Sequence, residues 1–282
     1  MEKIAFRSLT DKKNIFFVDL FPFFHFICDI YYVNKLFFRA HATFAGFCRN
    51  AVSVASGGSE CIVCGDSAGA VPVCNECVKN HFSVGQIDSG VCRFCGKLLV
   101  SEDDTCMECR NDVLLKHLDG VFPMFSYRLW NTNLLCRWKM EGERVFSSFF
   151  AGLMSERLSQ LEKLKGKFVV VPIPPRPGKI RKEGWDQVEE ICSFLEFCYG
   201  FKIGRILERH MNVEQKTLDR SQRMKIIGKA YSLKKNVTEV PEKVCLVDDV
   251  LTTGSTIESC AQALKSAGCE KVFAVTLFSV DR

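Results

Sequence analysis

Two adjacent carboxylates, Asp248 and Asp249, follow an apolar run at residues 244–247 that predicts a buried β-strand. Hydroxyl-bearing residues and one glycine come next. The helical periodicity of residues 257–264 then predicts a helix that Gly268 is placed to end. A strand, a short loop of small residues and a helix N-terminus together form an anion site, because their free backbone N–H groups converge on one point. We therefore expect a bound phosphate in this loop.

The acidic pair indicates which kind of phosphate ligand the loop binds. Nucleotide phosphate loops carry a lysine within the loop, and no lysine lies between Asp249 and Ser259. Two carboxylates beside a phosphate instead suit the vicinal hydroxyls of a sugar, which need hydrogen-bond acceptors. The pattern predicts a 5-phosphoribosyl site in which the two acids hold the ribose. The predicted ligand-binding residues of this site, the last five of which would hold the phosphate, are Val250, Leu251, Thr252, Thr253, Gly254, Ser255 and Thr256.

This segment resembles the phosphoribosyl pyrophosphate (PRPP) motif of type I phosphoribosyltransferases; the alternative is an ordinary buried strand followed by a capped helix. The resemblance implies that Asp248 and Asp249 are catalytic, because they would stabilise the positive charge that develops at ribose C1′ as pyrophosphate leaves. It also implies that Mg²⁺ binds together with PRPP, since magnesium prefers phosphate and hydroxyl oxygens.

A second candidate loop follows the predicted strand at residues 167–174. Ligands of open α/β sheets bind beyond the carboxyl ends of the strands, so this loop and the acidic pair should lie at the same edge. Its four cations suit a pyrophosphate group, although a solvated charged loop is the alternative. The predicted pyrophosphate-binding residues are Arg176, Lys179, Arg181 and Lys182.

A second basic run comes later in the chain, and it would form either a hood over the ligand or a surface for nucleic acid. Its members are Lys202, Arg205, Arg209, Lys216, Arg220, Arg223, Lys225 and Lys229.

Four Cys-x-x-Cys pairs precede these loops, and each pair presents two sulfurs from one tight turn. Two pairs form a closed site of four thiolates, the geometry of structural zinc, so four pairs predict two zinc sites. Disulfide chemistry and an iron–sulfur cluster are the alternatives. Sequential pairing is the simplest arrangement, and an interleaved pairing remains open. The sequential sets are Cys61, Cys64, Cys74 and Cys77, and then Cys92, Cys95, Cys106 and Cys109.

The elements that must position these residues alternate between strands and helices from Asp119 onward, which predicts an α/β fold with a mainly parallel sheet and flanking helices. Further strands are predicted at residues 120–127 and 272–277. Helices are predicted at residues 131–141, 144–164 and 185–199.

Composition is that of a globular protein: 282 residues, 47% hydrophobic and 25% charged, with a formal net charge of +5 that identifies no partner. Eight cysteines outside the four pairs lie scattered, which favours a reducing, cytoplasmic location over a secreted disulfide scaffold. Residues 1–57 are rich in phenylalanine but carry no uncharged run of the roughly 20 residues that a membrane span needs. They are an extra packing segment, an interfacial helix or an upstream extension outside the working protein. The predicted domains are 1–57, the zinc ribbons at 58–115 and the transferase-like domain at 116–282.

Cysteine pairs ahead of a phosphoribosyltransferase domain resemble the ComF family of competence-associated proteins, from about residue 60 to the C-terminus. The segments that carry this resemblance are Leu135-Cys136-Arg137-Trp138-Lys139-Met140-Glu141-Gly142, Val171-Pro172-Ile173-Pro174 and Gly184-Trp185-Asp186-Gln187, followed by Arg209, Gln215, Leu218 and Arg223. This chain has Glu183 where the family usually has arginine, which removes one cation beside the predicted pyrophosphate loop.

The resemblance implies a PRPP-binding phosphoribosyltransferase linked to DNA uptake, competence or nucleotide metabolism. It also implies DNA-uptake or helicase partners, and it leaves the oligomeric state open. Two other functions stay open. One is a non-catalytic adaptor that binds PRPP or a nucleotide, and the other is a zinc-ribbon protein that binds single-stranded DNA. The mixed charge of the cysteine region lacks the basic stripe typical of a DNA-tracking surface.

Overall fold

The computed structural model describes residues 44, 48, 51–52, 58–69, 71–84, 91–92, 94–96, 99, 102–111, 115–127, 130–210 and 230–280. All of them belong to one compact unit, Arg39–Arg282. Most of the Phe-rich segment at 1–57 lies outside the described residues.

Eight strands and seven helices are described within these ranges. The strands are β1 (Ser59–Glu60), β2 (Ser67–Ala68), β3 (Gly120–Ser126), β4 (Val169–Pro172), β5 (Leu207–Arg209), β6 (Tyr231–Leu233), β7 (Lys243–Leu251) and β8 (Lys271–Ser279). The helices are α1 (Asn75–His81), α2 (Met107–Asn111), α3 (Trp130–Lys139), α4 (Val145–Lys165), α5 (Lys179–Glu183), α6 (Gln187–Tyr199) and α7 (Ser255–Ser266).

The central sheet has four parallel strands in the order β3-β8-β7-β4. The apolar run of β7 alternates between the two faces, as the two-residue period of a strand requires. Cys245 and Val247 belong to the core on the side of α4 and α6. Val244 and Leu246 belong to the core on the side of α7. A strand that is buried on both faces needs an unbroken apolar sequence, and this explains the composition of β7. The predicted α/β class with a mainly parallel sheet is confirmed.

The prediction for the end of β7 is wrong. Asp248 and Asp249 do not follow the strand but lie within it, because β7 continues to Leu251. The neighbouring strand β8 supplies the pairing, with Asp248 opposite Thr276 and Leu251 opposite Ser279. Helix α7 also begins earlier than predicted, at Ser255. The loop between the end of β7 and the start of α7 is therefore only three residues long, from 252 to 254.

A buried carboxylate, Glu190, joins α6 to the region where α3 meets α4. It accepts hydrogen bonds from Arg144 Nη2 and Ser147 Oγ, both at 2.6 Å. Ser147 Oγ in turn accepts from Trp138 Nε1 at 2.9 Å, and Trp138 lies against the ring of Trp185. This network fixes the C-terminal half of α3, whose last residue is Lys139.

Among the described helices, none combines the length and the apolar character needed to cross a lipid bilayer.

We predict that Glu190→Gln destabilises the fold by about 1–3 kcal/mol, because the amide leaves buried donors without their charged acceptor. Urea unfolding followed by tryptophan fluorescence would measure the change. Glu196→Gln is the matched control: the Glu196 side chain is 27% exposed, against 3% for Glu190, so its loss should stay below about 1 kcal/mol. Equal losses in the two variants would contradict a special role for the buried network.

Candidate active site and metal centres

The loop after β7 turns sharply at Gly254, where two constraints favour glycine. The φ angle of Gly254 is +76°, which favours glycine, and a Cβ atom there would lie 2.7 Å from Leu115 Cδ2. Hydroxyl groups flank the turn, with Thr253 Oγ1 2.8 Å from Ser255 Oγ. The predicted combination of a small loop and a helix N-terminus is therefore present, and it opens α7 at the sheet edge.

The seven predicted ligand-binding residues from 250 to 256 divide into three groups. Val250 and Leu251 pair with β8 inside the sheet, and the side chain of Leu251 belongs to the apolar core. The loop itself consists of residues 252–254. Ser255 and Thr256 are the first two residues of α7, where helix N–H groups have no partner within the helix. The loop and the two helix residues form the part of the motif that can surround an anion.

The acidic pair has a cationic partner that the motif itself does not contain. Lys139 Nζ, at the end of α3, lies 2.5 Å from Asp249 Oδ2. Burial alone would lower the pKa of Lys139, but the charge of Asp249, helped by Asp248 and Asp186, raises it above its usual value. A charged lysine therefore stands at the acids.

Sequence reasoning gave Lys139 no role, although it lies within the segment that carries the family resemblance. The loop itself contains no lysine, and this one comes from a helix 110 positions earlier in the chain. The apolar pattern of α3 predicts which face of the helix is buried. It does not predict which strand the side chain of Lys139 contacts.

Among the described residues Asp248 forms no such ion pair, and the charge of Lys139 only partly offsets the effect of burial on its pKa. Burial, together with the negative charge of Asp249, raises the pKa of Asp248 from 3.8 to about 8. The backbone N–H of Asp249 donates to Asp248 Oδ1 at 2.9 Å and partly offsets this effect. A carboxyl group with such a pKa can hold or release a proton near neutral pH.

Of the four predicted pyrophosphate-binding residues, Lys179 is the one that the structure connects to the acids. Its Nζ donates to Asp186 Oδ2 at 2.8 Å and also to Gln187 Oε1. The amide nitrogen of Gln187 donates to the backbone carbonyl of Lys139 at 3.4 Å. One buried side-chain amide therefore joins Lys179 to the residue that pairs with Asp249.

The segment that holds Lys179 is partly helical rather than a simple loop, since α5 occupies residues 179–183. Arg176 and Arg181 line an open pocket of about 480 Å³, and its other lining residues are Pro175, Pro177, Gly178 and Ile180. Lys182 and Glu183 are both exposed. The pocket carries two guanidinium groups, which suit a phosphate ligand.

Only part of the second basic run lies in the described residues. Arg205 is held by Glu189 and Glu196 and is a structural cation. Arg209 lies over the ring of Tyr231, 5.4 Å from its centroid, on the short ribbon formed by β5 and β6. Lys202 is exposed. The members between positions 216 and 229, and the family-like residues Gln215 and Leu218, lie outside the described residues.

The cysteine pairs form two clusters in the sequential arrangement. In each cluster the four sulfur atoms lie within 4.8 Å of one another. Across the pairs, Cys64 and Cys74 are 3.6 Å apart and Cys95 and Cys106 are 3.7 Å apart. Four sulfurs about 2.3 Å from one tetrahedral zinc ion would be about 3.8 Å apart. The distances therefore suit one ion for each cluster, and they exceed a disulfide bond of about 2.05 Å.

The thiol pKa values favour a cation within each cluster. Burial opposes ionisation of Cys61 and Cys92, but backbone N–H groups lower their pKa values to about 6 and about 7. Burial and the neighbouring sulfurs raise the pKa values of Cys77 and Cys109. All four thiols of a cluster can ionise together only when a bound metal offsets their repulsion, and a closed Cys₄ set is typical of structural zinc.

The first cluster packs directly on the transferase-like core. Cys61 and Cys77 belong to the same apolar cluster as the sheet. Just after α1, Phe82 packs edge-on against Phe125 and Phe149, with ring centroids 5.5 and 5.4 Å away. The zinc-ribbon region and the sheet therefore share one hydrophobic core.

Comparisons with known proteins agree with this architecture. A family model described as a phosphoribosyl transferase domain matches residues 213–282, which include β7, the loop, α7 and β8. The chain is 27% identical over 202 residues to the protein named Competence protein ComFC of Streptococcus pneumoniae, covering 71% of this chain and 84% of that protein. It is 27% identical over 113 residues to Competence protein F of Haemophilus influenzae, covering 39% of this chain and 49% of that protein. The resemblance to the ComF family is confirmed.

A solved structure titled as the allosteric regulatory enzyme of purine biosynthesis shows a weaker likeness. It is 18% identical, with a TM-score of 0.27, over 41% of this chain and 23% of that chain. The family match and the parallel sheet, rather than this partial overlap, support the transferase-like fold.

We predict that a strong chelator releases metal and unfolds residues 58–111, because metal binding supplies most of the folding free energy of such small cysteine-rich segments. Metal analysis, limited proteolysis and circular dichroism would follow the change. Strands β7 and β8, which are central to the sheet, should stay protected. Unchanged proteolysis within residues 58–111 after removal of the metal would contradict this prediction.

We predict that Asp248→Asn stabilises the ligand-free protein at high pH. A carboxyl group whose pKa rises from 3.8 to about 8 on folding contributes fully to stability below pH 4 and loses that contribution as the pH rises through 8. The melting temperature of the variant, relative to wild type, should therefore increase between pH 4 and 8 and then level off. The melting temperatures would be measured by calorimetry without Mg²⁺. A melting-temperature difference between variant and wild type that does not change with pH would contradict the raised pKa of Asp248.

Proposed function

We propose that this protein binds PRPP and acts as a phosphoribosyltransferase of the ComF type. The observation that carries the proposal is the meeting of three groups at one sheet edge. These groups are the acids of β7, the loop and N-terminus of α7, and Lys139 from α3. Together they offer acceptors for sugar hydroxyls, N–H donors for a phosphate and a cation for a leaving group.

The 5′-phosphate of PRPP would bind to the loop at residues 252–254 and to the first N–H groups of α7. Asp248 and Asp249 would accept hydrogen bonds from the ribose hydroxyls. The bond between C1′ and the pyrophosphate oxygen then breaks, and the electron pair leaves with pyrophosphate. A nitrogen atom of the acceptor forms the new bond to C1′ and loses a proton. The nearby carboxylates stabilise the transient positive charge on the sugar.

Lys139 would change partners during this reaction. Without ligand it neutralises Asp249 at 2.5 Å. Ribose hydroxyls can take over the hydrogen bonds of Asp249 when PRPP binds, and the ammonium group is then available to the departing pyrophosphate. Mg²⁺ enters with PRPP as part of the substrate, where it would neutralise the pyrophosphate. Arg176 and Arg181 would bind the same anion from the neighbouring pocket, on the side where Glu183 replaces the family arginine.

A second candidate function is a PRPP-binding adaptor that performs no chemistry. Glu183, in place of the family arginine, favours this alternative, because it reduces the positive charge available for stabilising the leaving group. The names of the two bacterial relatives support a link to competence in either case, and a role in DNA uptake is part of this proposal. Helicase or single-stranded-DNA partners, and a cytoplasmic location that suits the metal-type thiol clusters, belong to the same proposal.

The test mixes the zinc-loaded protein with PRPP, Mg²⁺ and a panel of nucleobases and follows pyrophosphate release. Asp249→Asn should lower turnover about 100-fold, as expected for the loss of one preorganised electrostatic group. Lys139→Met should lower turnover about 10-fold. Lys139→Arg should lower it less, because arginine keeps the positive charge. Glu156→Gln, an exposed position on α4, is the control.

The outcomes separate the functions. Turnover that is lost in Asp249→Asn supports the enzyme. PRPP binding by calorimetry without turnover on any base supports the adaptor. Binding of single-stranded DNA with a steep salt dependence, together with no PRPP binding, would replace both with the DNA-binding function.

A further inference from the structure

Residues 115–119, called the linker here, lie between the second cysteine cluster and β3. The linker is hydrogen-bonded to the first turn of α7. The backbone N–H of Lys116 donates to Glu258 Oε1 at 3.0 Å, and that of His117 lies 3.2 Å from both carboxylate oxygens. His117 Nδ1 is 2.7 Å from Glu258 Oε1. Glu258 is buried and lies four positions after the turn at Gly254. One carboxylate therefore receives nearly all of its hydrogen bonds from the linker.

A second contact joins the same linker to the loop itself. Leu115 is 5% exposed and packs in one apolar cluster with Leu251, before the loop, and Ile257, after it. Leu115 also occupies the space that a side chain at Gly254 would fill, since a Cβ there would lie 2.7 Å from its Cδ2. Leu115 of the linker therefore packs against one side of the turn at Gly254, and an anion would bind on the opposite side.

The second cysteine cluster lies directly against this arrangement. Cys95 packs on the apolar cluster that contains Leu115. At Gly96 a Cβ atom would lie 2.4 Å from both the carbonyl oxygen of Val121 and Pro123 Cδ. The metal-binding turn is therefore in close contact with β3, and β3 follows the linker directly.

Electrostatics give the contact with Glu258 a consequence for ligand binding. A carboxylate in the first turn of a helix competes with an anion for the positive end of the helix dipole and repels it. The linker N–H groups and the imidazole of His117 hold the carboxylate of Glu258 to the linker. Without them, Glu258 would be free to turn toward the phosphate and weaken its binding.

We propose that Leu115 and His117 are positioning residues of the phosphate site, through which the metal content of the second cysteine cluster sets the affinity for the ligand. The proposal rests on the proposed function for the identity of the ligand, PRPP. Leu115 fixes the shape of the turn at Gly254, and His117 fixes the position of the Glu258 carboxylate. Loss of metal from Cys92, Cys95, Cys106 and Cys109 releases the linker and with it both effects.

The test compares PRPP and ribose 5-phosphate affinities by calorimetry for His117→Ala and Leu115→Ala in the zinc-loaded full-length protein. Each substitution should weaken both ligands about tenfold, His117→Ala because Glu258 loses its imidazole partner and Leu115→Ala because the turn at Gly254 loses its packing. His117→Asn, which keeps a donor near the position of Nδ1, should recover part of the affinity. His81→Ala, an exposed histidine at the end of α1, is the matched control.

Hydrogen exchange of the amides of residues 252–258 in the ligand-free protein provides a readout that does not depend on PRPP. It should rise in His117→Ala and after chelation, while β8 stays protected. If wild type binds no PRPP but the exchange still rises, the proposed function fails and the coupling stands. If both affinity and exchange in His117→Ala equal those of the control, the coupling is overturned.

Discussion

The ion pair between Lys139 and Asp249 is the contact on which the candidate site depends, because it sets where α3 ends relative to the sheet. The backbone carbonyl of Lys139 accepts from Gln187, and Gln187 accepts from Lys179. The acids of β7 and the basic segment at α5 are thereby held at a fixed distance through one amide. Asp249, Asp186 and Gln187 are buried, and buried polar groups are stable only when their partners are present, so the family-like segments in α3 and α6 act together.

The sequence allowed the motif, the two cysteine sets and the parallel sheet to be predicted, because each follows from local rules. Strand periodicity, the spacing of thiol pairs and the small loop before a helix need no knowledge of distant contacts. The end of β7 was misplaced because two adjacent acids look like the end of a strand. The pairing of Val250 with Phe278 in β8 outweighed that local preference.

Lys139 and the linker residues could not be assigned in the same way, because their partners are more than 100 positions away in the chain. A lysine at the end of a helix is usually a solvated charge, and a histidine in a linker has no chemistry of its own. Their roles arise from the order of strands in the sheet, which brings α3 to one side of β7 and the linker to the N-terminus of α7.

The packing of Phe82 between Phe125 and Phe149 bears on how such a protein can be divided. A gene fragment that starts at residue 116 would encode every predicted catalytic residue, yet it would leave two large aromatic side chains of the sheet and α4 facing water. Exposed aromatic patches of this kind promote aggregation. The cysteine region therefore supplies part of the hydrophobic core in addition to its candidate metal sites. The two parts of the chain would have to be inherited and expressed together for this core to be complete.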